Sequence, residues 1–219
     1  KEQKEILAGI NLSKSGQTSE YLSELELAGF ISRDYSWQIK SGKRSNISRY
    51  RLQDVFLRFY LKYIEPNKEA IRSGLFYEKP LSSLSGWNTL LGLQFEALIQ
   101  NNRLSVLSLL SLSSADVEHV GPYFQRPTKS RAGCQVDLLI QVKQNILYVC
   151  EIKFSKNLIG NSVVKEMQAK LDNMRKPKGY SCVPILIHVN GVTDELEDAQ
   201  YFYRIIDFTL LLNGEDSYE

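Results

Sequence analysis

Histidine is almost missing from this chain. Of 219 residues only His119 and His188 are histidines, which leaves no HExxH pair and no His-rich metal centre. His188 lies in an apolar run and reads as a core histidine. Cysteine is scarce too: Cys134, Cys150 and Cys182 are odd in number, and two fall inside expected strands. Buried free thiols in a reducing cytoplasm are the expected state, not a disulfide framework. No apolar run approaches the ~18 residues of a membrane span, and no signal-peptide pattern is present. No GxSxG elbow supports a serine hydrolase. A P-loop is missing as well, because Gly9 and Gly16 are too far apart and Gln17 stands where its lysine would be. The chain opens on Lys1 and passes straight into helix-like sequence, as expected of a fragment of a longer protein. Net charge is only +2, yet its distribution is uneven. Residues 31–51 hold six basic groups against one acid, and the last thirty hold eight acids against one arginine.

What the chain does have is a hairpin with chemistry on it. Gln135 to Phe154 reads as two strands rich in β-branched and aromatic residues around the polar turn Lys143-Gln144-Asn145. A three-residue loop sets Val142 opposite Ile146 and Asp137 opposite Glu151. Side chains alternate along a strand, so Asp137, Glu151 and Lys153 then share one face. The other face collects Val136, Leu138, Ile140, Val142, Ile146, Tyr148, Cys150, Ile152 and Phe154. A two-residue loop would put Asp137 opposite Ile152, and burying an unpaired carboxylate costs on the order of several kcal/mol. Directly opposed Cβ atoms are roughly 5 Å apart, close enough for two carboxylates to hold one divalent ion.

The flanking sequence suggests two further parts. Residues 1–66 read as a short helix at Glu5–Ala8, a helix Ser19–Ala28 capped by Thr18, and two strands around the basic turn Lys40-Ser41-Gly42-Lys43-Arg44. Helix, helix and charged hairpin resemble a partial winged helix. In that fold the second helix enters the major groove and the hairpin tip touches phosphates. The DNA-contact candidates are Ser15, Gln17, Thr18, Lys40, Lys43 and Arg44, although Glu20, Glu24 and Glu26 on the same helix repel phosphates. An aromatic helix runs from Gln53 to Ile64; its Arg58 and Lys62 read as solvated. Residues 67–85, broken by Gly74 and Pro80, read as a linker, and 86–219 as a second domain.

The run DVFLRFYLKYI, then GLQFEALI, then D…EIK resembles the C-terminal region of archaeal-type (DEXX-box) prokaryotic ATPases. In these a nucleotide-binding domain precedes a winged helix and a domain similar to PD-(D/E)XK nucleases. The resemblance implies an α/β, restriction-endonuclease-like fold: a mixed central sheet flanked by helices, preceded by the partial winged helix. It also implies that Asp137, Glu151 and Lys153 are the motif's two acids and lysine. Glu96, on the helix Asn88–Gln100, would be an accessory metal-site acid, and Gln168, on the helix Ser162–Met174, a further polar supplement. Asp137, Glu151 and Glu96 would then hold Mg²⁺ or Mn²⁺. DNA and the upstream ATPase domain would be the partners. Such nucleases often form homodimers, though no residue pattern here fixes an interface. No nucleotide is expected in this part.

Two functions follow. One is a Mg²⁺-dependent DNA endonuclease; the other is a non-catalytic DNA- or protein-binding regulatory module on the same scaffold. Asp, Glu and Lys on paired strands can also form nothing more than an ion-pair cluster. Gln125, Arg126, Lys129 and Arg131, just before the Asp137 strand, are candidates to line a groove.

Overall fold

In the computed structural model, which describes residues 1–76, 80–129 and 131–212, the chain starts with two helices, α1 (Gln3–Gly9) and α2 (Gly16–Leu27). Helix α2 begins three residues before the expected start. Its N-cap is Ser15, not Thr18. The Ser15 hydroxyl accepts from the Thr18 N–H at 3.1 Å while Thr18 Oγ1 accepts from the Ser15 N–H at 2.9 Å. This reciprocal capping satisfies two backbone donors that a cap at Thr18 would leave open. Strands β1 (Ile31–Trp37) and β2 (Arg44–Leu52) form the two-stranded hairpin. Asp54 caps α3 (Val55–Phe59), which continues through a π-turn to Ile64, and α4 (Lys68–Arg72) follows. Phe59, Tyr63 and Trp87 pack ring against ring and account for much of this aromatic density. Within the expected linker, residues 77–79 lie outside the described residues, as do 213–219 of the expected second domain.

Contacts divide the chain into two units, residues 1–34 with 48–94 and residues 35–47 with 95–219. The hairpin tip thus belongs to the second unit, and its attachment is polar and buried. Gln141, only 2% exposed, accepts from Trp37 Nε1 at 2.8 Å and donates to the Ile39 carbonyl at 3.0 Å. The Ser36 hydroxyl donates to the Phe124 carbonyl at 2.8 Å and accepts its N–H at 3.1 Å. At the tip Gly42 has φ +65°, and a Cβ there would lie 2.7 Å from His119 Nε2, so this turn requires glycine.

The second unit is built on a five-stranded mixed sheet in the order β3 (Val117–Gln125), β4 (Cys134–Val142), β5 (Ile146–Phe154), β6 (Ser181–Val189), β7 (Arg204–Asp207). The first two pairings are antiparallel and the last two parallel. Helices α5 (Trp87–Asn101) and α6 (Arg103–Leu109) precede the sheet, α7 (Ser162–Asn173) joins β5 to β6, and α8 (Asp194–Asp198) joins β6 to β7. A last short helix, α9 (Thr209–Leu212), follows β7. A mixed α/β sheet flanked by helices is the architecture that the sequence led us to expect.

Both sheet faces are covered. On one, Phe95, Ile99, Val106 and Leu107 of α5 and α6 pack on Leu138, Ile140, Cys150, Ile152, Ile185 and Ile187. On the other, Val163, Met167 and Met174 pack on Leu139, Leu147, Val149 and Leu186. The carboxylate-bearing face is therefore largely apolar too. Val136 departs from the expected alternation and packs on the α7 side. The cause is a β-bulge: Gly121 pairs with Leu139 but Tyr123 pairs with Val136, so Asp137 and Leu138 together oppose one β3 residue.

Candidate active site

The β4–β5 loop is Lys143–Asn145, and Val142 pairs with Ile146, Ile140 with Tyr148 and Leu138 with Cys150. Gln144 and Asn145 take φ of 66° and 62°, which lets three residues close the turn. Continued by one step, this register sets Asp137 against Glu151. There the backbone ladder gives way to side-chain bonding. Asp137 Oδ2 accepts the Ile152 N–H at 3.2 Å, and the Asp137 carbonyl accepts from Gln100 Nε2 of α5 at 3.0 Å. The bulge frees Asp137 from regular pairing, and these two bonds satisfy what it exposes.

Helix α7 supplies a residue that the sequence reading passed over. Lys170 Nζ lies 3.6 Å from Asp137 Oδ2 and forms a short ion pair with Glu151 Oε2. Lys153 Nζ lies 3.2 Å from Glu151 Oε1 and 2.5 Å from Glu166 Oε2, also on α7. Two carboxylates and two ammonium groups thus meet on one face, with Glu166 at the rim. Glu151 is only 3% exposed.

Burial raises the Asp137 carboxyl above the ordinary carboxylate range, and the Glu151 charge adds to this. Lys170, the Ile152 N–H and Lys153 pull it back without restoring it. Burial pulls the Lys170 ammonium down, but Asp137 and Glu151 more than offset that, leaving it above its usual value. Lys153 behaves alike: burial lowers it, and its hydrogen bond to Glu166 and the Glu151 charge outweigh the loss. The Cys150 thiol is fully buried and held up by burial, so it is inert.

The remaining expected residues are scattered. Glu96 is half-buried one turn before Gln100 on α5. Among the described residues, no group of three or more His, Cys, Asp and Glu side chains is arranged to hold a metal, so Glu96 does not complete a three-ligand set. Gln168 is exposed; its amide donates to Asp172 at 2.8 Å and accepts from the Tyr201 hydroxyl at 3.1 Å. Thr18 is 8% exposed and its hydroxyl is engaged in the α2 cap. Gln17 is exposed and donates to the Tyr21 hydroxyl at 2.7 Å. Lys40, Lys43 and Arg44 are exposed on the hairpin tip, with Arg44 over the Tyr35 ring. Gln17 and these three belong to different units. Gln125 is committed to Asn173 and Arg175 at the end of α7. Lys129 and Arg131 are exposed, and His188 is 4% exposed in β6.

The donor set suits a hard cation. Two opposed carboxylates match the preference of Mg²⁺ or Mn²⁺ for oxygen; the Cys134 and Cys150 thiols near Asp137 are held up by burial, and Lys170 already places positive charge beside both carboxylates. Asp137 and Glu151 would hold such an ion once Lys170 moved aside.

No protein-family model matches the chain. Over 99 residues it is 32% identical to the uncharacterized protein MJECL04 of Methanocaldococcus jannaschii, covering 43% of this chain and 22% of that protein. The chain thus spans about a fifth of that relative's length. Half of the chain aligns with 43% of a repair endonuclease from Pyrococcus abyssi, at a TM-score of 0.33 and 16% identity. At that level neither fold nor activity transfers. Among the described residues no helix is long and apolar enough to cross a membrane.

Proposed function

We propose that the second unit is a divalent-cation-dependent DNA endonuclease, working within a longer protein whose upstream part is an ATPase. One observation carries this reading: Asp137 and Glu151 come together from adjacent strands, with Lys153 on Glu151. A hard cation held by the two carboxylates would supply charge neutralisation at a phosphodiester and an acidified water. The chain's own groups do the rest. The Ile152 N–H fixes Asp137 Oδ2, and Glu166 and Glu151 orient the Lys153 ammonium. From there Lys153 can donate to an attacking water or to the phosphate oxygens as negative charge develops. Burial of Asp137 and Glu151 keeps bulk water from screening these charges.

A second reading has its own support. Lys170 and Lys153 already neutralise both carboxylates, which is what a structural ion-pair cluster in a non-catalytic DNA- or protein-binding module requires. Incubation of the protein with linear and supercoiled DNA, with and without Mg²⁺ or Mn²⁺, separates the two. Metal-dependent cleavage that is lost in Lys153→Ala supports the nuclease. No cleavage with either ion leaves the binding module.

A further inference from the structure

A cavity of about 560 Å³ opens in the second unit between the hairpin tip, the end of β3 and the end of α7. That size falls within the roughly 300–1,000 Å³ of small-ligand sites. Its floor is apolar: Trp37, Ile39, Tyr123 and Phe124 line it and are otherwise buried. Its rim is cationic, with Lys40, Arg126, Arg175 and Lys176 exposed around the floor. None of its described lining residues is an Asp or Glu. An apolar floor under a one-sign rim selects a ligand that carries both a flat apolar part and negative charge.

The cavity is built, not incidental. Ser36 and Gln141 lock the Trp37–Ile39 segment to the sheet by buried hydrogen bonds. The Gln125 side chain holds the Asn173 carbonyl at 2.9 Å and the Arg175 N–H at 2.7 Å, which fixes the opposite wall. Tyr123 and Val136 pair across β3 and β4 and pack together on the α7 side, and Asp137 follows Val136. With strands ~4.8 Å apart, the floor lies within roughly 10 Å of Asp137. Consecutive phosphates of an extended strand lie several ångströms apart, so a strand seated here can bring a neighbouring phosphate to the carboxylates.

We infer that this cavity is a strand-binding subsite, seating one nucleotide of single-stranded DNA with its sugar and base on the apolar floor and its phosphate on the cationic rim. The choice of DNA rests on the nuclease reading; the cavity and its charge do not.

The test is fluorescence anisotropy of a labelled single-stranded oligonucleotide in EDTA, over a series of salt concentrations. The double variant Arg175→Glu/Lys176→Glu should bind about tenfold or more weakly. Its slope of log affinity against log salt should fall by about 0.7, the loss of the one single-strand phosphate contact made at the rim. Lys143→Glu, at the far end of the β4–β5 hairpin, should bind like the wild type. Equal binding and slope in the double variant overturns the proposal, as does an equal loss in Lys143→Glu. Displacement of the oligonucleotide by dAMP at comparable concentration also overturns it, by making the ligand a free nucleotide. A wild type that binds with a cavity-dependent slope but never cuts with Mg²⁺ or Mn²⁺ overturns the nuclease reading alone. One that cuts while the double variant binds unchanged overturns the subsite alone.

Discussion

Lys170 Nζ stands 3.6 Å from Asp137 Oδ2 and pairs with Glu151 Oε2 as well, bridging the two carboxylates. Substituting Lys170→Met leaves Asp137 and Glu151 opposed without that charge between them. Removing one partner of a fully buried pair costs about 3–5 kcal/mol. Here Lys170 keeps 24% side-chain exposure and Lys153 remains on Glu151, so a loss of about 2–3 kcal/mol is expected by urea denaturation. Added Mg²⁺ should then raise Tm more in the variant than in the wild type. Unchanged stability would mean that the carboxylates do not depend on Lys170.

Lys170 was nevertheless legible. Val163, Met167 and Met174 are the buried positions on α7 and its cap, and a helix running 163, 167, 170, 174 returns to one face at each step. A lysine inside an apolar stripe asks for a partner, whereas Gln168 sits off that stripe and meets solvent. The hairpin register was legible because loop length and the period of two agree. Val136 was not, since its side is set by a bulge against β3, and pairing partners are not written in the β4 sequence. The α2 cap was ambiguous for a local reason: Ser15 and Thr18 both fit, and they cap each other.

Lys153 pairs with both Glu151 and Glu166, and under the nuclease reading the two ends of the Lys153–Glu166 pair carry different weights. If the second unit cuts DNA, Lys153→Ala should lower cleavage by about 10²-fold or more, the scale of losing one transition-state donor. Glu166→Gln keeps Lys153 paired to Glu151 and should cost less than tenfold. Single-turnover cleavage rates with saturating protein check both, because they remove DNA affinity from the comparison. A larger loss in Glu166→Gln than in Lys153→Ala would reverse the assignment.

The Asp137 carboxyl titrates above its ordinary 3.8, because of burial first and Glu151 second. A raised acid stabilises the fold when protonated. Its contribution is complete below 3.8 and disappears as pH rises through the raised folded value. Asp137→Asn lacks this titration, so its stability relative to the wild type should increase as pH rises across that window. Urea unfolding at a series of pH values reads the difference. A flat difference, or one that falls as pH rises, would contradict the stated environment of Asp137.

Gln141 ties the hairpin tip to the sheet, and its loss should be felt at the tip before the core. In Gln141→Leu the Trp37 Nε1–H loses its acceptor, while the Ile39 carbonyl keeps the Tyr180 hydroxyl at 3.3 Å. Glu118, the third partner, is exposed and turns to water. One unsatisfied buried donor costs about 1–3 kcal/mol, and that cost falls on the segment these bonds help to hold. Amide exchange at residues 38–44 should therefore accelerate while the β5 amides, deep in the sheet, keep their protection. Because the same segment forms one wall of the cavity, oligonucleotide binding should weaken in parallel with the loss of protection. Fast exchange spread evenly over tip and sheet would instead make Gln141 a residue of the global core.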